Sequence, residues 1–143
     1  MNNQKKSSLS SEQFEMLLKK SKIIIYSILG PSRADISPLA YAIAITADRL
    51  YIQKIPLNIF TIYNDVYYKT AKLLNQDHPS TARSVARIAN RITKAITTQE
   101  ETEKYFGEVI YEPIAPRMLI IYLAAYVYFD KPYYQVLKDS YDP

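Results

Sequence analysis

The chain has 143 residues and a formal net charge of +4, and it contains no cysteine and a single histidine. A chain of this length is most simply one domain that buries about two-thirds of its unfolded surface. The absence of cysteine excludes disulfides, and one histidine is too few for a zinc cluster and argues against a hydrolase triad. We therefore expect no metal site, no cofactor, no small-molecule substrate and no enzymatic activity.

The N-terminal residues are polar and lack the apolar run that a secretory signal needs. The longest apolar run, 118–129, has 12 residues, short of the roughly 17 to 25 that a membrane-spanning helix requires. We therefore expect a cytoplasmic protein that does not contact a membrane. Its predicted parts are a flexible polar tail over 1–9, a helical domain over 10–138 and a C-terminal tail over 139–143.

Glycine and proline usage indicates the fold class. The chain has two glycines and eight prolines, and the prolines fall between segments of helical periodicity, which favours helices joined by short turns over a sheet. We predict an all-α fold, a single domain of about six helices that contains a helix-turn-helix.

The first helix is expected to begin at Ser10, because Ser10 and Gln13 form a capping-box pattern. It should run to about Leu29, where Gly30 and Pro31 stop it, since glycine accepts a left-handed cap and proline cannot continue the helix. Apolar residues recur along it at helical spacing and should face the core: Phe14, Leu17, Leu18, Ile24, Ile25 and Ile28.

The second helix is expected to start with Ser37 as N-cap and Pro38 in the first turn, and Pro56 should close the segment. Its predicted buried side comprises Leu39, Ala42, Ile43, Ala47 and Leu50. A third helix is predicted over 58–75. Its predicted apolar face comprises Ile59, Ile62, Tyr63, Val66, Tyr67, Thr70 and Leu73.

The fourth predicted helix, 79–97, has two opposed faces at about 100° per residue. Its apolar stripe, which should face the core, consists of Val85, Ile88, Ala89, Ile92 and Ile96. Its opposite face carries Arg83, Arg87, Asn90, Arg91 and Lys94. This helix holds four of the chain's 18 lysines and arginines and none of its 14 acidic residues, so the whole net charge resides there.

The connection 76–80 between the third and fourth helices contains Asp77, Pro79 and Ser80, which favour ending one helix and starting another. Two helices joined in this way have the outline of a helix-turn-helix. The alternative is an ordinary helical hairpin whose second helix has a solvated basic face. A solvated face usually mixes charges of both signs, and this one does not.

A short fifth helix should follow, from a capping box of Thr98 and Glu101 to Phe106, directly before Gly107. The acidic residues near its start lack an accompanying histidine or other catalytic group, so we assign them to the helix dipole and not to an active site. These residues are Glu100, Glu101 and Glu103. A sixth helix is predicted over 116–129, and 133–138 should add a final turn.

Over about residues 17–129, this layout resembles the C-terminal DNA-binding effector domain of the stage-zero sporulation regulator of spore-forming bacteria. The resemblance lies in the order of six helices and in the segments IYSILG (25–30), IYNDVYYKTAKLLN (62–75) and TARSVARIANRITKAI (81–96). A Tyr-Phe-Gly ending of the fifth helix, followed by a proline-led final helix, also fits this family.

The resemblance implies that the third and fourth helices form a helix-turn-helix whose second member enters the major groove. Matched without gaps, Thr81, Ala82, Val85 and Arg87 keep the family's residue types. Arg87 falls on an arginine that reads bases in that family. The resemblance also implies dimeric or tandem binding through the last helix, so a homodimer through the helix 116–129 is expected beside its role in the core.

Other positions of the fourth helix depart from the family. Arg83 and Ser84 appear in swapped order, Ala86 replaces an acidic residue, Asn90 replaces a basic one and Arg91 replaces a histidine. We therefore expect DNA binding to carry over from the family, and the operator sequence to differ.

The expected function is sequence-specific binding of double-stranded DNA by a transcriptional regulator. Base contacts are predicted for Ser80, Arg83, Ser84, Arg87 and Asn90. Phosphate contacts are predicted for Thr81, Arg91, Lys94, Lys69, Lys72 and Arg33, with Thr61 as a weaker candidate. The alternative is a non-enzymatic adaptor that docks an acidic partner protein through the same basic helix.

Overall fold

The computed structural model describes residues 2–141, with side chains over 11–140, and the regular secondary structure of this part of the chain is all helical, without a strand. Its α-helices are α1 (Asn2–Leu29), α2 (Ser37–Ala47), α3 (Tyr68–Leu73), α4 (His78–Ala95), α5 (Gln99–Phe106), α6 (Pro116–Phe129) and α7 (Tyr133–Tyr141). Two π-helical segments, Asp48–Ile52 and Ile62–Tyr67, follow α2 and precede α3. The all-α prediction is confirmed, and the predicted final turn after the sixth helix is a full helix, α7.

Helix α1 begins earlier than predicted. Its backbone is helical from Asn2, so the start predicted at Ser10 is wrong, and the boundary predicted between a tail over 1–9 and a domain from residue 10 does not coincide with a helix end. The side chain of Ser10 lies outside the described ones. No proline or glycine occurs among the first nine residues to interrupt a helix. The C-terminal end is as predicted, with Gly30 at φ 73°.

Helix α2 lacks the predicted serine cap. Ile36 occupies the N-cap position without a side-chain hydrogen bond, and the backbone N–H of Ser37 donates to Asp35 Oδ1 at 3.0 Å. The side-chain acceptor at the start of α2 is therefore the carboxylate of Asp35, and not the hydroxyl of Ser37 as predicted. The predicted inner face is buried over its α-helical part, and Leu50, on the following π-helical turn, is half-buried.

The third helical segment starts at Ile62 and not at residue 58. The side chain of Phe60 is buried and Thr61 is extended, so a turn that follows Pro56 carries the chain into the core before the helix begins. The predicted apolar face is correct in its centre, where Val66, Tyr67 and Thr70 are buried. It is wrong at the positions that the structure leaves exposed, namely Ile59, Tyr63 and Leu73.

Helix α5 matches its prediction. Thr98 and Glu101 form a reciprocal capping box, in which the Thr98 hydroxyl accepts from the Glu101 N–H at 3.1 Å. The same hydroxyl donates to Glu101 Oε1 at 3.0 Å, and this bond lowers the pKa of the Glu101 carboxyl. Gly107 ends the helix at φ 93°.

Helix α6 is the central helix of the core. It packs against α1, α2, α4, α5 and α7, and every residue over 119–125 is buried. Helix α7 contacts the outer side of α6, where the hydroxyls of Tyr122 and Tyr134 form a hydrogen bond of 2.9 Å. The exposed side chains of this helix, through which a homodimer was predicted, are those at its C-terminal end, Tyr128 and Phe129. No helix within the described residues is long and apolar enough to cross a bilayer.

Candidate nucleic-acid interface

The start of helix α4 is fixed by a side-chain cap. Asp77 is extended at the N-cap position, and its Oδ1 accepts a hydrogen bond of 2.8 Å from the backbone N–H of Ser80. Pro79 occupies the first turn, where its missing N–H has no partner to lose. The hydrogen bond from Ser80 is the main cause that lowers the pKa of the Asp77 carboxyl, so this cap is charged at neutral pH.

The inner face of α4 is buried as predicted. Helix α4 packs against α1, α2, α3 and α6. All five residues of the predicted stripe are buried: Val85, Ile88, Ala89, Ile92 and Ile96. Burial of an Ile or Val side chain contributes about 1.5 to 3 kcal/mol. The core therefore sets the rotation of α4 about its axis, and with it the direction of the opposite face.

That opposite face is exposed and basic. The five predicted residues are all exposed: Arg83, Arg87, Asn90, Arg91 and Lys94. The three arginines are spaced by four residues, so they form one row with about 6 Å of rise between successive members. The row spans a length comparable with the major groove, which is about 12 Å wide and admits an α-helix.

The cations on this face form no ion pair among the described side chains, although Asp77 lies near enough to Arg83 for the charge of Arg83 to contribute to the lowered pKa of the Asp77 carboxyl. Within the described side chains, ion pairs are confined to Lys20 with Asp130 and Lys131 with Asp139, neither of which involves α4. Among those same residues, the side chains of Arg87, Asn90 and Lys94 make no hydrogen bond. Their donors are therefore available to an external anion or base edge.

The N-terminal part of this face is partly ordered by its own contacts. The Nη2 atom of Arg83 donates to the Ser80 hydroxyl at 3.2 Å, so these two predicted base contacts lie together. Ser80 and Ser84 are half-buried, and their hydroxyls are less accessible than the guanidinium groups beside them. The structure thus places the predicted base-reading residues on one side of α4, with the arginines outermost.

The loop 30–36 between α1 and α2 extends the basic face. Arg91 Nη2 lies 3.4 Å from the Ser32 hydroxyl, to which it donates a long hydrogen bond. The next residue, Arg33, is exposed. This contact brings the predicted phosphate contact Arg33 to the same side of the protein as α4, although almost sixty positions separate them in sequence.

Thr81 is not part of the exposed face, and its predicted role as a phosphate contact is wrong. It is fully buried, and its hydroxyl donates to the Asp77 carbonyl oxygen at 3.0 Å and lies 3.2 Å from Gln76 Oε1. The helical wheel places Thr81 near Val85 and Ile88 on the inner stripe. Thr81 therefore fastens the connection between α3 and α4.

The preceding helical segment supplies two further predicted phosphate contacts. Lys69 and Lys72 are exposed. Thr61 is exposed too, but its N–H and hydroxyl both donate to Asp65 Oδ2, at 2.7 and 3.3 Å. A phosphate at Thr61 would meet this carboxylate, so the structure favours the two lysines over the threonine.

An aromatic contact that the sequence did not indicate joins the two segments. The His78 ring, at the start of α4, lies 4.9 Å from the ring of Tyr68 and 5.5 Å from that of Tyr63. Both tyrosines remain largely exposed. His78 therefore helps to set the angle between the segments. The same contact places Tyr68, which carries a hydroxyl group, beside the start of α4. Tyr68 and His78 are ten residues apart and lie on opposite sides of a turn, so helical periodicity could not predict their contact.

Comparisons of the chain with protein-family models, with curated proteins and with solved structures gave no match.

Proposed function

We propose that this protein is a sequence-specific double-stranded DNA-binding protein that regulates transcription, with α4 in the major groove. The observation that carries the proposal is the exposed row of Arg83, Arg87 and Arg91, which forms no ion pair among the described residues and lies opposite a buried stripe. Neutralising phosphates and pairing with base edges are the two uses of such a row. The sequence resemblance to the sporulation-regulator effector domain supports the same function.

In this proposal, α3 with its preceding π-helical turn and α4 act as the two helices of a helix-turn-helix. The connection between them is short, the buried Thr81 is hydrogen-bonded to it, and α4 is the more basic member. In such units the second helix enters the major groove with its N-terminal residues nearest the bases. That orientation matches the position of Ser80 and Arg83 in the first half of α4, and Arg87 follows at its middle.

The contacts divide into two kinds. Arg87 and Arg83 reach guanine through paired donors, and Asn90 reaches adenine where the helix lies deep in the groove. Arg91 and Lys94, further along α4, contact phosphates together with Arg33, Lys69 and Lys72, and these contacts fix the register of the protein on the duplex. The carboxylate of Asp77 disfavours a phosphate directly at the start of α4, so the groove is read from the side of the helix.

The test is binding to a labelled random-sequence duplex at several salt concentrations, followed by selection of bound fragments from a random pool. We expect affinity to fall with a slope of about −0.9 per phosphate contacted, and the selected fragments to share a motif. The adaptor alternative, in which the same face docks an acidic protein, predicts no duplex binding even at low salt. That outcome would overturn the proposal.

A matched pair of variants separates the site from general charge effects. Lys94→Gln removes a positive charge from α4, and Lys19→Gln removes one from an exposed position on α1. We expect Lys94→Gln to reduce the salt slope by about one and Lys19→Gln to leave it unchanged. Equal effects of the two variants would mean that binding depends on net charge alone.

A further inference from the structure

Helix α1 exposes an apolar stripe on the side away from the core. The exposed fractions of Met16, Ile23 and Tyr26 are 61%, 56% and 44%, although Leu17 and Ile24 on the same helix are buried. Large apolar side chains scattered singly over a surface need no explanation, but three on one face of one helix form a patch that favours association.

The stripe has the spacing of a coiled-coil seam. Glu12, Met16, Lys19, Ile23 and Tyr26 are separated by four, three, four and three residues, which is the alternation of the a and d positions of a heptad. Met16 and Ile23 fall on a positions and Glu12, Lys19 and Tyr26 on d positions, so the seam combines three apolar residues with two charged ones. All five are exposed. The inner face of α1 meets α2, α4 and α6, so this seam is a second face with no partner among the described residues.

The charges beside the seam specify what fits it. Glu15 and Lys22 occupy equivalent flanking positions one heptad apart, so in an antiparallel pair of such helices Glu15 of each copy faces Lys22 of the other. In a parallel pair, Glu15 would face Lys20, which is already paired with Asp130, and Lys22 would face the uncharged Ser27. The seam is thus best complemented by a second copy of itself in the antiparallel orientation.

We propose that two copies of this chain associate through antiparallel pairing of their α1 helices along the seam of Glu12, Met16, Lys19, Ile23 and Tyr26. Shallow grooves lie on both sides of the seam, one lined by Leu18 and Tyr26 and the other by Ile52 and Tyr128, and they accommodate the flanking side chains of the second helix. The association is independent of DNA binding, and it replaces the dimer predicted through the helix 116–129.

The first test is the oligomeric state without DNA. Sedimentation velocity over roughly 5 to 500 µM covers the weak range expected for an interface at the low end of standard sizes. We expect a concentration-dependent dimer, and we expect Ile23→Glu to weaken it by at least about tenfold, because the substitution removes one of the three apolar side chains of the seam and adds a third charge to it. Ile59→Glu is the matched control, since Ile59 is 63% exposed and lies outside α1.

Two results of this experiment would overturn the proposal. One is a monomer throughout the concentration range, and the other is a dimer that is weakened equally by the two substitutions. Because both positions are exposed, circular dichroism should show that each variant keeps the helical fold. DNA binding does not enter the readout, so a failure here leaves the proposed function intact, and the reverse also holds.

The second test is a charge exchange. Glu15→Lys or Lys22→Glu alone places like charges opposite each other at both symmetry-related contacts of the antiparallel pair, so each should weaken the dimer. The double variant Glu15→Lys with Lys22→Glu restores opposite charges and should recover the dissociation constant of the parent. Additive weakening in the double variant would contradict the antiparallel pairing.

The third test uses the absence of cysteine in the parent chain. Glu15→Cys and Lys22→Cys are prepared separately, mixed and treated with a short bismaleimide. An antiparallel pair brings the thiol at position 15 of one copy near the thiol at position 22 of the other, and the mixed dimer keeps one Glu15 to Lys22 contact. We expect the mixed cross-link to exceed both homodimeric ones. A predominance of homodimeric cross-links would contradict the proposed orientation.

Discussion

The carboxylate of Asp77 accepts a hydrogen bond of 2.8 Å from the backbone N–H of Ser80, and the hydroxyl of the same serine accepts one of 3.2 Å from Arg83. The cap that starts α4 and the first arginine of its basic face are therefore linked through a single residue. The N-terminal half of α4, which carries the predicted base contacts Ser80, Arg83 and Ser84, is thus anchored by the cap as well as by the buried stripe.

Removal of the cap should lower stability in a pH-dependent way. Asp77→Ala should reduce the thermal midpoint by a few degrees, because the N–H of Ser80 loses its acceptor, whereas Asp77→Asn should keep most of the cap. The pKa of Asp77 is lowered from its ordinary value of 3.8, so its charged form stabilises the fold above that pH, and this contribution is lost as the pH falls through the lower, folded-state pKa. Thermal melts from pH 7 to pH 2 test this.

The control for the cap prediction lies in the same melts. The difference between the parent and Asp77→Ala should be largest near neutral pH and should shrink at the acid end, where the carboxyl of the parent is protonated. A difference that is constant over the whole pH range would show that the charge of Asp77 does not contribute.

Arg87 should carry sequence discrimination. Arg87→Ala should reduce the preference for the selected motif by about 1 to 3 kcal/mol, because paired donors to guanine are lost. Arg87→Lys keeps the charge without the planar pair of donors, so it should lose discrimination but retain the salt slope. Competition binding between the motif and a one-base variant measures this. Unchanged discrimination in both variants would refute the base-reading role.

The buried stripe of α4 should be a large contributor to stability. Ile92 is fully buried, and Ile92→Ala should lower the free energy of unfolding by about 2 to 5 kcal/mol, through lost burial and the cavity that remains. Ile59→Ala, at an exposed position, should stay within about 0.5 kcal/mol of the parent. Urea denaturation followed by circular dichroism gives both values, and similar costs would contradict the assigned orientation of α4.

The two glycines should respond differently to alanine. Both have positive φ, but a Cβ on Gly30 would meet nothing within 4 Å, whereas one on Gly107 would lie 3.1 Å from the Cβ of Tyr134 and 3.2 Å from the backbone N of Gln135. Gly30→Ala should cost about 1 to 2 kcal/mol from backbone strain alone. Gly107→Ala should lower the free energy of unfolding by a larger amount, because α7 must also move to make room for the added Cβ. Urea denaturation of both variants checks the order, and an equal or larger loss for Gly30→Ala would contradict it.

Patterns that depend on neighbours along the chain were predictable from the sequence. The buried and exposed faces of α4, the capping box of Thr98 and Glu101 and the end of α1 at Gly30 all follow from helical periodicity or from contacts within one turn. The predicted starts of the first and third helices failed, and so did the predicted cap of the second. At the second and third, Asp35, Phe60 and the extended Thr61 decide the boundary.

The sequence by itself determined that the fold is all-helical and that the net positive charge lies on one face of one helix, because periodicity, caps and net charge are properties of local sequence. Only the tertiary structure decided which residues share a surface. Packing buried Thr81 and enclosed α6 on most sides, placed Ser32 beside Arg91, and left Met16, Ile23 and Tyr26 of α1 exposed. Burial depends on which helices meet across the core, and a single helical wheel does not contain that information.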